Sequence, residues 1–358
     1  MRNFHWRIAT AILALVLTAT IANVYAQTPS DTTLVVAAPE TLNNDPAIVH
    51  NGSSLRVLLN TYEGLVRFAY GELKIEPALA ERWGISQNSR VYTFNLRQGV
   101  KFHDGSPLTA ADVKYSFERA KTKAAGAAFI TENVKEVRVV DNQTVEVELT
   151  RPMAPYLLML PRLLVIGQRC VAGHEVGGDL GTRYLQDKSC GTGPFQIESW
   201  ERGRQITLRR FEDYWGAWSR RSLERVVIRV VPEVATARLL LERGDIDIQH
   251  AISLDDLPKV ANNPNIKVQD NPGVPAVYFH MLMHRGPTKN QLVRMALTYS
   301  FPYKAFIGAV MRGTASQLQG PLASSIPCHD SALPVFQQDL EKAKQLLRQA
   351  GYSPKVSA

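Results

Sequence analysis

Hydrophobic and polar positions alternate most cleanly between residues 91 and 96. There Tyr92, Phe94 and Leu96 interleave with Val91, Thr93 and Asn95. A period of two predicts a strand with one buried face. Gly99 breaks it, Val100 and Phe102 begin another short extended piece, and His103-Asp104-Gly105 is a turn signal. The period then lengthens. Thr109 and Asp112 stand at capping-box spacing, and Val113, Phe117 and Ala120 follow at helical spacing. Strand, turn and capped helix thus run in order through 79–119.

The same patterns extend along the chain. Residues 34–38 read as a short buried strand, and 54–60 place Leu55, Leu58 and Leu59 at helical spacing. Residues 134–140 and 144–149 alternate as a hairpin with Asp141-Asn142 at its turn, and apolar 155–164 read as a core helix. Phe195 to residue 200 and 205–209 predict a second hairpin across Gly203. Residues 226–231 are β-branched and read as a buried strand. Pro232-Glu233 starts a helix whose inner face carries Ala237, Leu240 and Leu241, Gly244 ends it, and 245–248 form the next strand. Strand, helix and strand at this spacing imply parallel pairing and an α/β sheet. After the punctuation of Asn271-Pro272-Gly273, residues 277–281 read as a strand. Helices follow at 290–298, with Leu292, Val293, Ala296 and Leu297 inside, and at 340–350.

The N-terminus changes the setting. Arg2 and Arg7 precede an uncharged apolar run, 8–22, and Val24-Tyr25-Ala26 is a small-residue cleavage pattern, so 1–26 read as a signal peptide. The run is short for a membrane span. Export favours an oxidising compartment. Of three cysteines, Cys170 and Cys190 flank a polar, Gly-rich stretch, and a bridge there would staple a loop by about 3 kcal/mol. Cys328 is left over and is expected to be a buried or inert thiol. The formal charge is +8, or +6 without the leader, but the cations are scattered and not interleaved with aromatics. Nucleic acid is therefore not an expected partner.

Candidate chemistry is sparse. No Gly-x-Ser-x-Gly elbow accompanies His103-Asp104, and no His-Glu-x-x-His is present. His280 and His284 would share a helix face, but their surroundings read as strand, so neither a metal site nor a cofactor is expected. Asp245 and Asp247 fall on one strand face and read as a solvated strand end. Gly191-Thr192-Gly193-Pro194-Phe195 lacks the Lys-Ser/Thr of a P-loop and reads as a tight turn.

Several stretches together resemble the family 5 extracellular solute-binding proteins, the peptide, nickel and opine receptors of bacterial ABC importers. They are 79–119, Tyr62-Glu63-Gly64-Leu65, Gly191 to Phe195, Asp213-Tyr214-Trp215, the Leu-Leu-Glu-Arg-Gly-Asp-Ile-Asp of 240–247, and the Leu-Leu-Arg-Gln-Ala-Gly-Tyr of 346–352. The resemblance implies an α/β, periplasmic-binding-protein-like two-lobe fold of class II with an extra subdomain in lobe I. Lobe I would span 27–271, with its core in 27–60 and 189–271 and the inserted subdomain at about 61–188. Residues 272–358 would be a partial lobe II, because relatives run well beyond this point. A half-built lobe leaves apolar faces uncovered, so low stability or aggregation is expected.

The implied function is a monomeric, periplasmic, non-enzymatic receptor. It would close on a peptide or similar small solute by hinge motion and deliver it to an inner-membrane ABC permease. By the same resemblance, Asn51, Gly52, Ser53, His250, Tyr278 and His280 would line the ligand cleft. The family usually carries Asn at the position of His280, and an Ala-Ile-Asp type of ending where this chain has Ser300-Phe301-Pro302. The competing expectations are a nonfunctional truncated receptor and a secreted hydrolase.

Overall fold

A computed structural model describes residues 32–40, 43–49, 51–219, 222–250, 252–269, 276–324 and 326–352. The leader at 1–26 and the Asn271-Pro272-Gly273 punctuation lie outside them. The chain divides into two compact units, one drawn from 1–67 and 75–251, the other from 68–74 and 252–358.

In the first unit, β1 (Thr33–Ala38) leads by a long connection into α1 (Gly52–Thr61). A short ribbon, β2 (Val66–Phe68) and β3 (Ile75–Pro77), precedes a four-stranded antiparallel sheet. That sheet has the order β4 (Ala80–Ile85), β5 (Val91–Leu96), β7 (Thr144–Leu149), β6 (Val134–Asp141). Alternation dictates its faces. Tyr92, Phe94 and Leu96 of β5 and Val145, Val147 and Leu149 of β7 are all buried on one side. Helix α2 (Ala110–Lys123) covers that side with Val113, Phe117 and Ala120. Its start is fixed by Asp112, whose Oδ2 accepts from Thr109 N at 2.9 Å and Thr109 Oγ1 at 2.8 Å.

The chain then returns to β1. The hairpin of β8 (Phe195–Glu201) and β9 (Gln205–Arg210) turns at Gly203, whose φ of +72° favours glycine. Strand β10 (Arg225–Val230), helix α3 (Val234–Arg243) and strand β11 (Ile248–Gln249) complete a five-stranded sheet of order β11-β1-β10-β9-β8. Strand β1 pairs in parallel with both β10 and β11, so the crossover through α3 steps over β1. The two faces are covered from different directions. Ala38, Ile206, Leu208 and Ile228 pack with Val57 of α1. Val35, Ala37 and Ile246 pack with Ala237 of α3.

Two long-range ties hold the inserted sheet to this core. Arg119 of α2 grips Asp45, in the connection after β1, through Nη1 and Nη2 at 2.6 and 2.7 Å, and both side chains are fully buried. Arg119 Nε donates to Leu180 O at 2.9 Å, and Asp45 Oδ1 also accepts from Ala47 N. Burial works against the charged guanidinium, but the hydrogen bonds and charge of Asp45 outweigh it and raise its pKa. A disulfide joins Cys170 to Cys190, with Cα atoms 5.8 Å apart, and Cys190 N donates to Tyr62 Oη at 3.2 Å.

The second unit is built on α4 (Gln291–Ser300) and α5 (Leu340–Gln349), which pack together through Val293, Ala296 and Ala343. Asn290 caps α4 by accepting from Leu292 N, and Asp339 caps α5 by accepting from Lys342 N, each at 2.9 Å.

Several expectations need correction. Residues 155–164 are not one helix. A turn at Tyr156–Met159 gives way to a 3-10 turn at Leu160–Arg162, where Pro161 cannot donate to the helical ladder. The strand at 245–248 shrinks to Ile248–Gln249. Asp247 is exposed, as expected of a solvated strand end, and in addition its Oδ2 accepts from Val35 N at 2.7 Å and its N–H donates to Val35 O. Glu233, rather than Pro232, immediately precedes α3. Residues 277–281 form no strand. Val277 and Phe279 are exposed, and no neighbouring strand pairs with them among the described residues. Cys328 is exposed rather than buried, on a loop residue with φ of 70°. Leu59 and Leu297 also face solvent, and Val57 takes the core position on α1.

Removing either partner of a buried ion pair strands the other's charge, which costs about 3–5 kcal/mol. Arg119→Ala and Asp45→Ala are each expected to lower unfolding stability by that amount in urea titrations followed by tryptophan fluorescence. A paired replacement, Asp45→Leu with Arg119→Met, is expected to recover much of the loss.

Candidate functional site

Strands β1, β10 and β11 run in parallel, so their carboxyl ends share one edge of the five-stranded sheet. From that edge β1 leads to α1 on one face, while its neighbour β10 leads to α3 on the other. Connections that part in this way leave a crevice at the strand ends, where open α/β sheets bind ligands.

The first turn of α1 lies at this edge. Asn51 is its cap, with Oδ1 accepting from Ser54 N at 2.8 Å. Glu40, just past the end of β1, accepts from Ser53 N at 3.3 Å through Oε1. Ser53 is only 2% exposed, and its hydroxyl has no hydrogen-bond partner. Gly52 is exposed, and a Cβ there would meet nothing within 4 Å, so packing does not demand the glycine. His250 follows β11 directly and is exposed. What desolvation its ring feels, and then the charge on Arg56 of α1, hold its pKa below the ordinary imidazole value.

The structure therefore gathers Asn51, Gly52, Ser53 and His250 on one edge of the first unit. Tyr278 and His280 belong to the second unit. There Tyr278 Oη donates to Pro321 O at 3.0 Å, and the two rings lie 6.1 Å apart. His280 and His284 are not on a helix, and no group of three or more His, Cys, Asp or Glu side chains is placed to hold a metal among the described residues.

The other end of α1 is where the most distinctive stretches of sequence meet. Glu63 Oε2 accepts from Thr192 Oγ1 and from Trp215 Nε1, each at 2.8 Å, and its Oε1 accepts from Tyr214 Oη at 3.1 Å. Burial raises the Glu63 pKa against the pull of these donors. The Gly191-Thr192-Gly193 turn presses on the last turn of α1. A Cβ on Gly191 would lie 2.0 Å from Thr61 O, and one on Gly193 2.6 Å from Asn60 O. His103 secures the same turn. Its Nε2 donates to Gly193 O at 3.0 Å, and its Nδ1 accepts from Ser189 Oγ at 2.9 Å. Burial drives the His103 pKa down to about 4, outweighing the hydrogen bonds of Gly193 and Ser189 and the charge of Asp104.

Sequence reasoning missed this junction because Glu63 and Trp215, or His103 and Gly193, are far apart in the chain. The quoted stretches were the one signal that could have paired them. Arg56 was missed as well, since a lone Arg on a helix carries no signal of its partners.

Residues 74–357 match the family described as bacterial extracellular solute-binding proteins, family 5 Middle. The chain belongs to this family. The chain is 29% identical over 93% of its length to the probable D,D-dipeptide-binding periplasmic protein DdpA of Escherichia coli K12, and it spans 65% of that protein. It is 31% identical over 91% of its length to heme-binding protein A of Haemophilus influenzae, and it spans 63% of that relative. Among solved structures, the periplasmic binding protein DppA of Helicobacter pylori, in complex with the peptide STSA, superposes with a TM-score of 0.80. That match has 31% identity and covers 89% of this chain and 66% of that one. The fold is thus the α/β periplasmic-binding-protein fold of family 5 over the part the chain covers. No helix among the described residues is long and apolar enough to cross a membrane.

His103 has a pH consequence. An unfolded imidazole takes up a proton near pH 6.5, whereas the folded one resists until about pH 4. Its contribution is therefore fully present above about pH 6.5 and is lost as pH falls from there to about 4. Urea midpoints measured at pH 7, 5.5 and 4.5 are expected to show the stability gap between wild type and His103→Gln narrowing by about 2–3 kcal/mol across this range. A gap that stays constant would show that His103 does not titrate this way.

Proposed function

We propose that this family 5 chain is the solute-binding component of an ABC importer. It takes up a peptide or similar small solute and passes it to an inner-membrane permease. One observation carries the reading. Ser53, an almost fully buried hydroxyl without a partner, stands at the carboxyl edge of a parallel sheet beside the capped start of α1 and the exposed His250. A buried polar group left unsatisfied costs free energy, and a ligand with a matching hydrogen-bonding group removes that cost. The relatives' descriptions name D,D-dipeptide, heme and the peptide STSA as their ligands, and a peptide-like solute supplies such groups along its backbone.

In this reading Asn51, Gly52, Ser53 and His250 contact the ligand from the first lobe, and Tyr278 and His280 from the second. Lobe I takes in 27–271, with the inserted subdomain at about 61–188, and 272–358 contribute part of lobe II. The four-stranded sheet, which falls within 61–188, supports that division. The Cys170–Cys190 bridge accords with a periplasmic location, where disulfides persist. The receptor acts as a monomer and carries out no chemistry on its ligand.

Isothermal titration calorimetry with Ser-Thr-Ser-Ala, glutathione and hemin tests the proposal. At least one is expected to bind saturably with a Kd on the order of micromolar. Ser53→Ala is expected to weaken that binding by about tenfold, matching a lost hydrogen bond of about 1.4 kcal/mol. Absence of saturable heat with all three would count against the reading.

A further inference from the structure

The carboxyl edge of the five-stranded sheet holds a second feature that the binding reading does not use. Arg56 lies on α1, one turn beyond Ser53, so the two share a helix face. It is partly buried, and its guanidinium has no carboxylate partner among the described residues. The fully buried arginine of this unit, Arg119, is by contrast paired bidentately with Asp45. The next residue on α1, Val57, packs over Ala38 at the end of β1. On the other side of β1, Ala37 is in register with Gln249, which brings the following residue, His250, beside Ala38. Arg56 and His250 therefore flank the same strand end, and the charge on Arg56 is felt at the imidazole. Glu40, just past the end of β1, is engaged by the Ser53 N–H on the first turn of α1.

We infer that Arg56 and His250 form an anion-recognition pair, which together with the Ser53 hydroxyl selects ligands bearing an anionic oxygen group. A guanidinium offers a planar fork of donors that fits carboxylate or phosphate, and an imidazole adds one more. An anion between them removes the repulsion that otherwise opposes protonation of His250. The inference names the ligand class for the proposed binding edge and so rests on that reading.

Two measurements on the full chain test it. The first follows the His250 ring by NMR, assigned with His250→Gln, while sodium acetate or inorganic phosphate is added at constant ionic strength. Saturable movement is expected in wild type, reduced at least fivefold in Arg56→Gln and retained in Arg56→Lys. Acetate and phosphate separately report which oxyanion the pair prefers. No saturable movement with either anion, or equal movement in Arg56→Gln, overturns the inference. The second is calorimetry with Ser-Thr-Ser-Ala as free acid and as C-terminal amide. Wild type is expected to prefer the acid at least tenfold, and Arg56→Gln to bind both alike. A wild type that binds both forms equally overturns the pair as a ligand-selecting device. Movement of the His250 signal without any peptide binding would instead leave the anion pair standing and defeat the peptide reading.

Discussion

The buried Asp45–Arg119 pair is the constraint on which the first unit's arrangement depends. Desolvating two charges costs several kcal/mol for each ion, and only near-complete satisfaction of their hydrogen bonds makes the arrangement tolerable. Here the carboxylate accepts from both terminal guanidinium nitrogens, Nη1 and Nη2, and from the Ala47 amide, while Arg119 Nε donates to the Leu180 carbonyl. Asp45 belongs to the connection between β1 and α1, so the pair fixes how that connection leaves the sheet. The position of the first turn of α1, with Asn51 and Ser53, follows from it. An interaction inside the scaffold thereby sets the geometry of the proposed ligand edge.

Helix α1 is anchored in different ways at its two ends. At its carboxyl end Glu63, the Gly191-Thr192-Gly193 turn, Tyr214, Trp215 and His103 interlock, with glycines where a Cβ would collide with the helix backbone. At its amino end the chain presents ordinary polar residues, one of them with an unsatisfied hydroxyl. Three of the family-like stretches, Tyr62 to Leu65, Gly191 to Phe195 and Asp213 to Trp215, meet at this carboxyl end, away from the proposed binding edge. They specify a close-packed joint, where substitution collides with backbone. The proposed edge would need only side chains that suit a particular solute, and the relatives' named ligands, a D,D-dipeptide and heme, differ greatly in shape.

Much of this is legible in the sequence. The alternation of Tyr92, Phe94 and Leu96 named the buried face of β5, and Thr109 with Asp112 named the start of α2, because strand pleat and helix capping are local rules. The strand–helix–strand unit around α3 implied parallel pairing, although not that β1 would sit between its strands. Residues 277–281 show the limit of such reading. A β-rich composition makes a strand only when another strand supplies the hydrogen bonds, and no described neighbour does so. Cys328 shows the same limit for burial, since residue type favours the interior and yet its side chain is exposed on a loop.

By itself the sequence determined most of the local elements, their order, the α/β class and the family, because each of these rests on periodicity, caps or contiguous motifs. Tertiary structure alone decided that Arg119 meets Asp45, that Glu63 gathers three donors from distant segments, and that Arg56 and His250 flank the end of β1. These partners are brought together by the sheet order and the crossover. No local signal encodes a contact between side chains that only the closed fold makes neighbours.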